Sequence, residues 1–118
     1  MRISVVVNNY NYGRFIARAV LSALEQTPAP HEVVIVDDGS SDDSLAVIED
    51  LARKNPTVRV VAKQNGGQLS AFNAGFAASS GDIVCFLDAD DEYLPGYLAK
   101  LRDAYEANAQ VDFIYCGI

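Results

Sequence analysis

Cysteine, histidine and long apolar runs are scarce in this sequence. Its 118 residues include two cysteines and one histidine. Cys85 and Cys116 lie in apolar runs without a CxxC partner, which is typical of small buried side chains in a reducing compartment. No run approaches the roughly 18 apolar residues of a membrane span, and the first ten residues turn polar too soon for a signal peptide. We therefore expect a cytoplasmic protein, with residues 1–118 forming one domain.

Positive charge is also scarce. Nine Lys and Arg residues stand against sixteen Asp and Glu residues, for a formal net charge of -7. This balance disfavours nucleic acid or an anionic membrane surface as the main partner. Nine of the sixteen acids lie in two short segments, 37–43 and 82–92. Clusters of this kind require cations or solvent around them.

Strand patterns and helix patterns alternate along the chain. Short β-branched runs predict strands, and apolar residues at helical spacing predict the helices between them. The third helix is expected to pack through Leu69, Phe72, Ala74 and Phe76. The alternation predicts right-handed crossovers and an α/β fold with a mainly parallel sheet covered by helices on both faces. The predicted strands are 3–7, 32–36, 58–62, 83–87 and 111–115, and the predicted helices are 14–25, a segment between 41 and 56, 68–78 and 95–108.

Polar segments follow the ends of four predicted strands. They are residues 8–9, 37–38, 65–68 and 88–91. In parallel α/β sheets, ligands bind beyond the carboxyl ends of the strands, where such segments gather. The sequence therefore predicts a single site built by these four segments.

The segment FLDADD places several carboxylates at the end of a predicted strand. In extended geometry Asp88 and Asp90 would project to the same side, with Ala89 on the other. Their mutual repulsion would be relieved by a divalent cation, and Mg²⁺ or Mn²⁺ prefers carboxylates together with phosphate oxygens and water. The alternative is a solvated acidic loop that caps the helix starting near Pro95.

Other acidic and phosphate motifs fit poorly. A calcium loop counted from Asp88 needs Gly and Glu where the chain has Tyr93 and Ala99. The dinucleotide motif GxGxxG and the P-loop motif GxxxxGK[ST] are both absent. An enzyme that forms an aspartyl phosphate remains open on these grounds.

Four segments together resemble the family 2 glycosyltransferases of the GT-A fold. The resemblance implies transfer of a sugar from a UDP-, GDP- or dTDP-linked donor, with inversion at the anomeric carbon and help from Mn²⁺ or Mg²⁺. It also implies a saccharide or lipid-linked acceptor and a role in cell-surface polysaccharide biosynthesis. The segments are SVVVNNYNYGRFIARAVLSALEQ, EVVIVDDGSSDDS, NGGQLSAFNAG and GDIVCFLDADDEYLP, which span almost the whole chain.

The same resemblance assigns residues to the nucleotide-sugar site. Asp38 corresponds to the acid that accepts a hydrogen bond from the nucleobase, and Asp37 is expected to help shape that pocket. Asn8 corresponds to a position lining the base pocket, and the turn containing Gly67 and Gln68 to the wall beside the nucleotide. For Asn and Gly, ordinary turn formation is the alternative.

The acids of FLDADD correspond to the DxD motif of the family. The resemblance places Asp88 near the ribose and the metal, and makes Asp90 a metal ligand; it leaves Asp91 without a role. Asn73 is assigned to the nucleotide-sugar site. Beside it, Phe72 occupies a position where the family often has Arg, so we expect no cationic phosphate contact from this helix and a larger role for the metal.

The catalytic base is expected beyond Ile118, because in the family it is an Asp or Glu of the second half of the domain. His31 falls at the opposite edge of the predicted sheet and is not expected to act in catalysis. We therefore expect a donor-binding half of a GT-A domain, incomplete at the C-terminus and inactive by itself. An uncovered edge would favour a homo-oligomer, and the full-length protein is expected at the inner face of the membrane.

Two alternative functions remain at this point. One is a nucleotide-sugar binding module without turnover. The other is a phosphatase like the haloacid dehalogenases, although that family expects DxDx[TV] after the first strand, where this chain has NNYNY.

Overall fold

The computed structural model describes residues 2–107, in which four strands alternate with four helices. The predicted strand 111–115 and Cys116 lie outside the described residues. The elements are β1 (Ile3–Asn9), α1 (Ile16–Leu24), β2 (Glu32–Asp38), α2 (Ser44–Lys54), β3 (Val58–Lys63), α3 (Gln68–Ala78), β4 (Ile83–Asp88) and α4 (Tyr97–Ala107).

The strands form one parallel sheet in the order β3-β2-β1-β4. Val5 of β1 is in register with Val33 of β2 and with Cys85 of β4. Strand β2 is buried along its whole length, as expected for a strand with helices on both faces. The predicted parallel α/β fold is confirmed.

Helices cover both faces of the sheet. On one face, residues of α1, α2 and α4 such as Ile16, Ile48 and Leu98 share a buried cluster with Val5 and Val33. On the other face, α3 packs its Ala71 against the even-numbered valines of β1 and β2, namely Val6, Val34 and Val36. The two faces therefore follow the alternation of side chains along each strand.

The predicted bounds 68–78 of α3 match, and its predicted packing residues are confirmed in part: Phe72 packs against Phe86 and Ala74 against the valine cluster, whereas Leu69 and Phe76 do not pack. Leu69 and Phe76 are 73% and 63% exposed, whereas Ala71 and Gly75 are buried. A Cβ atom built on Gly75 would lie 2.3 Å from Val6 Cγ1. At Gly75 the helix lies so close to the sheet that only small residues fit between them, and Leu69 and Phe76 are left on the outside.

All four strands extend past their predicted ends. β1 continues to Asn9, β2 to Asp38 and β4 to Asp88. Polar residues that were predicted in loops are therefore the last residues of these strands. Their side chains are therefore directed by the strand geometry. Within residues 2–107, no helix is long and apolar enough to cross a bilayer.

Candidate functional site

A cavity of about 490 Å³ opens at the carboxyl ends of β1, β2 and β4, beside the first turn of α3. This is the edge of the sheet where the polar segments were expected to converge. Six of the predicted site residues line it: Asn8, Asp38, Gly67, Gln68, Asp88 and Asp90. The lining also includes Asn9, Tyr10, Tyr12, Asn65, Ala71 and Ala89.

Asp37, predicted to help shape the base pocket, is not among the residues that line the cavity. It precedes Asp38 in the same strand, and successive side chains of a strand point to opposite faces. Its carboxylate is buried, and its Oδ1 accepts hydrogen bonds from Asn9 Nδ2 at 3.0 Å and Ser40 Oγ at 2.7 Å. Asp37 thus joins the ends of β1 and β2 and fixes the turn that follows β2.

Asp38 is an ionised acceptor at the cavity wall. Oδ1 accepts hydrogen bonds from Lys63 Nζ at 2.7 Å and from the Gly66 backbone nitrogen at 3.0 Å, and Oδ2 accepts one from the Gly67 nitrogen at 3.1 Å. Burial raises the pKa of Asp38, but the bonds from Lys63 and the two glycines outweigh burial and hold the pKa below its usual value. The carboxylate is therefore negative and firmly oriented.

Lys63 is a residue that the sequence reasoning missed. It is the last residue of β3 and stands in register with Asp38. Its ammonium also donates to the Gln64 carbonyl oxygen at 2.6 Å, so it ties β3 to the turn before α3. Extending the predicted third strand by one residue would have included Lys63, and its register with Asp38 puts the two side chains on the same face of the sheet.

Asn8 lies between the two acidic parts of the cavity. It is in register with Asp88 of β4 and, on the other side, with Val36, two residues before Asp38. Its Oδ1 is buried and has no hydrogen-bond partner among residues 2–107. A buried polar atom without a partner is uncommon, and it leaves Asn8 able to bond a ligand in the cavity.

Asp88, Asp90 and Asp91 form a cluster, with one carboxylate oxygen of each lying within 4.8 Å of the others. The extended geometry predicted here is wrong beyond Asp88, because the strand ends there and the Asp91 nitrogen donates to the Asp88 carbonyl oxygen in a turn. The turn brings Asp91 into the cluster. Ala89 does turn inward, since it is 1% exposed.

The cluster carries uncompensated negative charge. Burial, followed by the charges of Asp91 and Asp90, raises the pKa of Asp88 above its usual value. None of the ion pairs found in the described part of the chain involves these three acids. Three adjacent carboxylates offer the hard oxygen ligands that Mg²⁺ and Mn²⁺ prefer. The residues present therefore fit a divalent cation.

The loop after β1 supplies an aromatic wall that was not predicted. Tyr10 and Tyr12 line the cavity and are 47% and 42% exposed. Between them, Asn11 adopts a positive φ of 59°, and its Oδ1 accepts hydrogen bonds from the backbone nitrogens of Ser41 and Asp42. The Asn11 bonds lock this loop to the one after β2. The signal in the sequence was the repeated aromatic in NNYNYG.

Two further positions lie away from the cavity. Asn73, assigned to the nucleotide-sugar site by the resemblance, is exposed on α3 and is not among the lining residues. Phe72 packs edge-on against Phe86 of β4, with ring centroids 4.8 Å apart. At the position where the family often has Arg, this helix therefore presents an aromatic ring to the sheet. The backbone nitrogen of His31 donates to the Ile3 carbonyl at the opposite end of the sheet, as predicted.

The sequence matches the family model described as Glycosyl transferase family 2 over residues 4–117. The chain belongs to glycosyl transferase family 2. This family 2 chain is 44% identical to an uncharacterized glycosyltransferase of Nostoc sp., over 98% of the chain and 36% of the relative. It is 43% identical to a chondroitin synthase of Pasteurella multocida, over 79% of the chain and 10% of the relative.

Solved glycosyltransferases share the fold of this family 2 chain. S. aureus TarS in complex with UDP-GlcNAc superposes with a TM-score of 0.80 at 29% identity, over 92% of this chain and 32% of TarS. A mannosyltransferase of Pyrobaculum calidifontis, in complex with GDP-Man and Mn²⁺, superposes with a TM-score of 0.76 at 26% identity, over 88% of this chain and 32% of the mannosyltransferase. The fold is of the GT-A type.

The family 2 chain spans about a third of the length of the first curated relatives, 36% of the Nostoc protein and 33% of a glycosyltransferase of Bacillus subtilis. The family match removes the phosphatase alternative.

Proposed function

We propose that this chain is the donor-binding part of an inverting glycosyltransferase, and that it binds a nucleotide diphosphate sugar together with a divalent cation. One observation carries the proposal: a single cavity has the oriented acceptor Asp38 on one wall and, on another, Asp88 and Asp90 of the acidic cluster that Asp91 completes. The first suits a base N–H, and the second suits a cation that holds phosphates.

The acidic cluster would hold Mn²⁺ or Mg²⁺ through Asp88 and Asp90, with Asp91 within reach. A cation bound there would stabilise the negative charge on the departing nucleoside diphosphate. The raised pKa of Asp88 supports this assignment, because a cation would offset the repulsion among the three carboxylates. The Mn²⁺ in the solved mannosyltransferase complex supports the same class of ion.

The nucleoside would lie between Asp38 and Asp88. Asn8 would bond the ligand with its partnerless amide oxygen or with its amide nitrogen, and Gly67 and Gln68 would form the adjacent wall. Asp88, in register with Asn8, would contact the ribose as well as the cation. Asp37 and Asn73 are left out of this set because neither lines the cavity.

The remaining steps of transfer are proposed for the whole protein. Inversion requires a base that takes a proton from the acceptor hydroxyl, and we place that base, an Asp or Glu, outside the described residues. We propose a saccharide or lipid-linked acceptor and a role in polysaccharide biosynthesis on the cytoplasmic side. The similarity to a chondroitin synthase supports a polysaccharide product.

Calorimetric titration with UDP, GDP and dTDP, each with and without Mn²⁺, tests the donor-binding proposal. We expect at least one nucleotide to bind, with an affinity and a gain in thermal stability that both increase when Mn²⁺ is present. Inorganic pyrophosphate with Mn²⁺ serves as a control for phosphate binding alone. If none of the three nucleotides binds the folded protein at millimolar concentration with Mn²⁺ present, the proposal is wrong.

A further inference from the structure

Two polar side chains at the end of α1 hold the loop that contains part of the acidic cluster. Residues 89–96 connect β4 to α4, and Asp90 and Asp91 lie in the first half of this loop. We propose that Ser22 and Gln26 are positioning residues for the cation site, because they hold the loop in the shape that keeps the three carboxylates together. The inference rests on the proposed function, of which the cation is a part.

Gln26 joins the end of α1 to both the loop and the start of α4. Its side chain follows the last turn of α1 and is buried. Nε2 donates to the carbonyl oxygens of Leu94 at 2.9 Å and Ser22 at 3.1 Å, and Oε1 accepts from the Leu98 nitrogen at 3.0 Å. Leu98 lies in the first turn of α4, where backbone N–H groups have no acceptor within the helix. One buried amide therefore fixes the end of the loop and the start of α4 together.

Ser22 holds the loop at Tyr93. Ser22 Oγ accepts a hydrogen bond from the Tyr93 nitrogen at 2.9 Å and donates one to the Ala19 carbonyl oxygen at 2.7 Å. The Tyr93 side chain is buried, and its hydroxyl donates to the Phe86 carbonyl oxygen of β4 at 2.9 Å. The loop is therefore bonded to α1 and to β4 two residues after Asp91.

The acidic cluster itself favours an open loop. One oxygen of each of the three carboxylates lies within 4.8 Å of the others, and like charges at this distance repel. Asp88 is held by the ladder of β4, and the Ala89 nitrogen donates to the Asn8 carbonyl oxygen at 3.2 Å. The contacts with α1 hold the other end of the loop. The carboxylates are thus kept close together from both sides.

A ligand set that is already in place binds a cation more tightly than one that must be ordered on binding. Neither Ser22 nor Gln26 is among the residues that line the cavity. Groups that orient metal ligands without touching the metal typically contribute about 10- to 100-fold to metal affinity. Replacing Ser22 or Gln26 should therefore weaken cation binding, although neither residue would contact the cation or the nucleotide.

Mn²⁺ titration of the 118-residue chain, followed by the loss of the EPR signal of the free ion, tests the inference. Gln26→Met keeps the length of the side chain but removes its hydrogen bonds, and Ser22→Ala removes the acceptor of the Tyr93 nitrogen. We expect each variant to raise the Mn²⁺ dissociation constant by about tenfold. Ser22→Thr keeps the hydroxyl and should restore an affinity within about twofold of wild type.

Val34→Ala is the control for a general loss of stability, because Val34 is buried on the other face of the sheet, in the cluster that includes Ala71 of α3. It should lower the free energy of unfolding and leave the Mn²⁺ affinity of the folded chain unchanged. If Val34→Ala weakens Mn²⁺ binding as much as Ser22→Ala does, the inference is wrong.

Wild-type Mn²⁺ affinity in folded Ser22→Ala would overturn the inference and leave the donor-binding proposal standing. Because alanine is the better helix former, we expect Ser22→Ala to fold, and the Ser22 variants decide the question where Gln26→Met does not fold. If the wild-type chain binds no Mn²⁺ at millimolar concentration, both the inference and the cation part of the proposed function are wrong.

Discussion

The Asn9 amide nitrogen donates to Asp37 Oδ1 at 3.0 Å across neighbouring strands, on the face of the sheet opposite Asp38. Two adjacent carboxylates therefore have different surroundings. Asp37 is closed off by Asn9 and Ser40, while Asp38 lines the cavity. The first acid of the DDGS segment supports the loop structurally, and the second is available to a ligand.

Replacing Asp37 should therefore reduce stability. Asp37→Ala removes the acceptor of the Ser40 hydroxyl and leaves the Asn9 amide only its 3.3 Å bond to Ser40 Oγ, and buried donors that lose their partners cost about 1–3 kcal/mol. We expect that decrease in the free energy of unfolding by urea titration. Asp103→Ala, at an exposed position of α4, is the control and should change stability by no more than about 0.5 kcal/mol. Equal stability of the two variants would contradict the structural role.

The two acidic parts of the cavity should separate in binding experiments. Asp90→Asn removes one charge from the carboxylate cluster, so binding of both UDP and inorganic pyrophosphate with Mn²⁺ should weaken. Asp38→Ala should weaken UDP alone, by about tenfold or more, since a hydrogen bond to a charged group contributes about 1.5–3 kcal/mol. Titrating UDP and pyrophosphate into both variants measures how much affinity for each ligand each variant loses. An equal loss of UDP and pyrophosphate in Asp38→Ala would show that the assignment of roles is wrong.

The fold was predictable because strand and helix periods are strong signals in this chain. The site was predictable only in outline, since four polar segments at strand ends must meet at one edge of a parallel sheet. The errors in the predicted site came from the predicted ends of the strands. A strand prediction that stops at residue 36 gives no direction to Asp37 and Asp38, whereas the real strand puts them on opposite faces.

Two other features depend on tertiary contacts that a sequence does not display. Gly75 lets α3 approach Val6 closely. The small residues Ala71 and Gly75 are therefore buried against the sheet, whereas Leu69 and Phe76 are exposed. The turn that brings Asp91 to Asp88 begins where the ladder of β4 ends, and that end was predicted one residue early. Lys63 was missed for the same reason at the end of β3.

Glu32 should make the protein sensitive to acid. It is buried at the start of β2, and although burial raises its pKa, hydrogen bonds from Ser4, Ser80 and Arg59 outweigh burial and lower the pKa from 4.5 to about 2. Because the folded-state pKa is the lower one, the stability it contributes is present above pH 4.5 and is lost as pH falls toward 2. A shift of this size corresponds to about 3 kcal/mol.

Urea titrations between pH 7 and pH 2 test the role of Glu32. Glu32→Gln should be less stable than wild type at neutral pH by up to about 3 kcal/mol, and the two curves should converge as the pH approaches 2. Glu106→Gln, exposed on α4, is the control and should follow the wild-type curve. A constant difference between Glu32→Gln and wild type across the whole range would show that ionisation of Glu32 is not the cause.

The 118-residue chain should bind its donor without transferring the sugar. Among residues 2–107, the acids that line the cavity are Asp38, Asp88 and Asp90. Asp38 is bonded to Lys63 and two backbone nitrogens, and the other two belong to the proposed cation site, so none is placed to take a proton from an acceptor. We propose that the base and the acceptor pocket lie outside residues 2–107, and a chain that lacks them would lose general acid–base help of about 10²- to 10⁴-fold together with the advantage of orientation.

An assay for nucleoside diphosphate release, with a nucleotide sugar that the chain binds and a mixture of saccharide and lipid-linked acceptors, measures this directly. We expect no increase in release when acceptors are added, while calorimetry on the same sample shows the donor bound. A full-length family 2 enzyme of known activity serves as the positive control for the acceptor mixture. Robust acceptor-dependent release by the 118-residue chain would mean that a base lies within it, and Glu92, exposed one residue beyond the acidic cluster, would be the first position to replace.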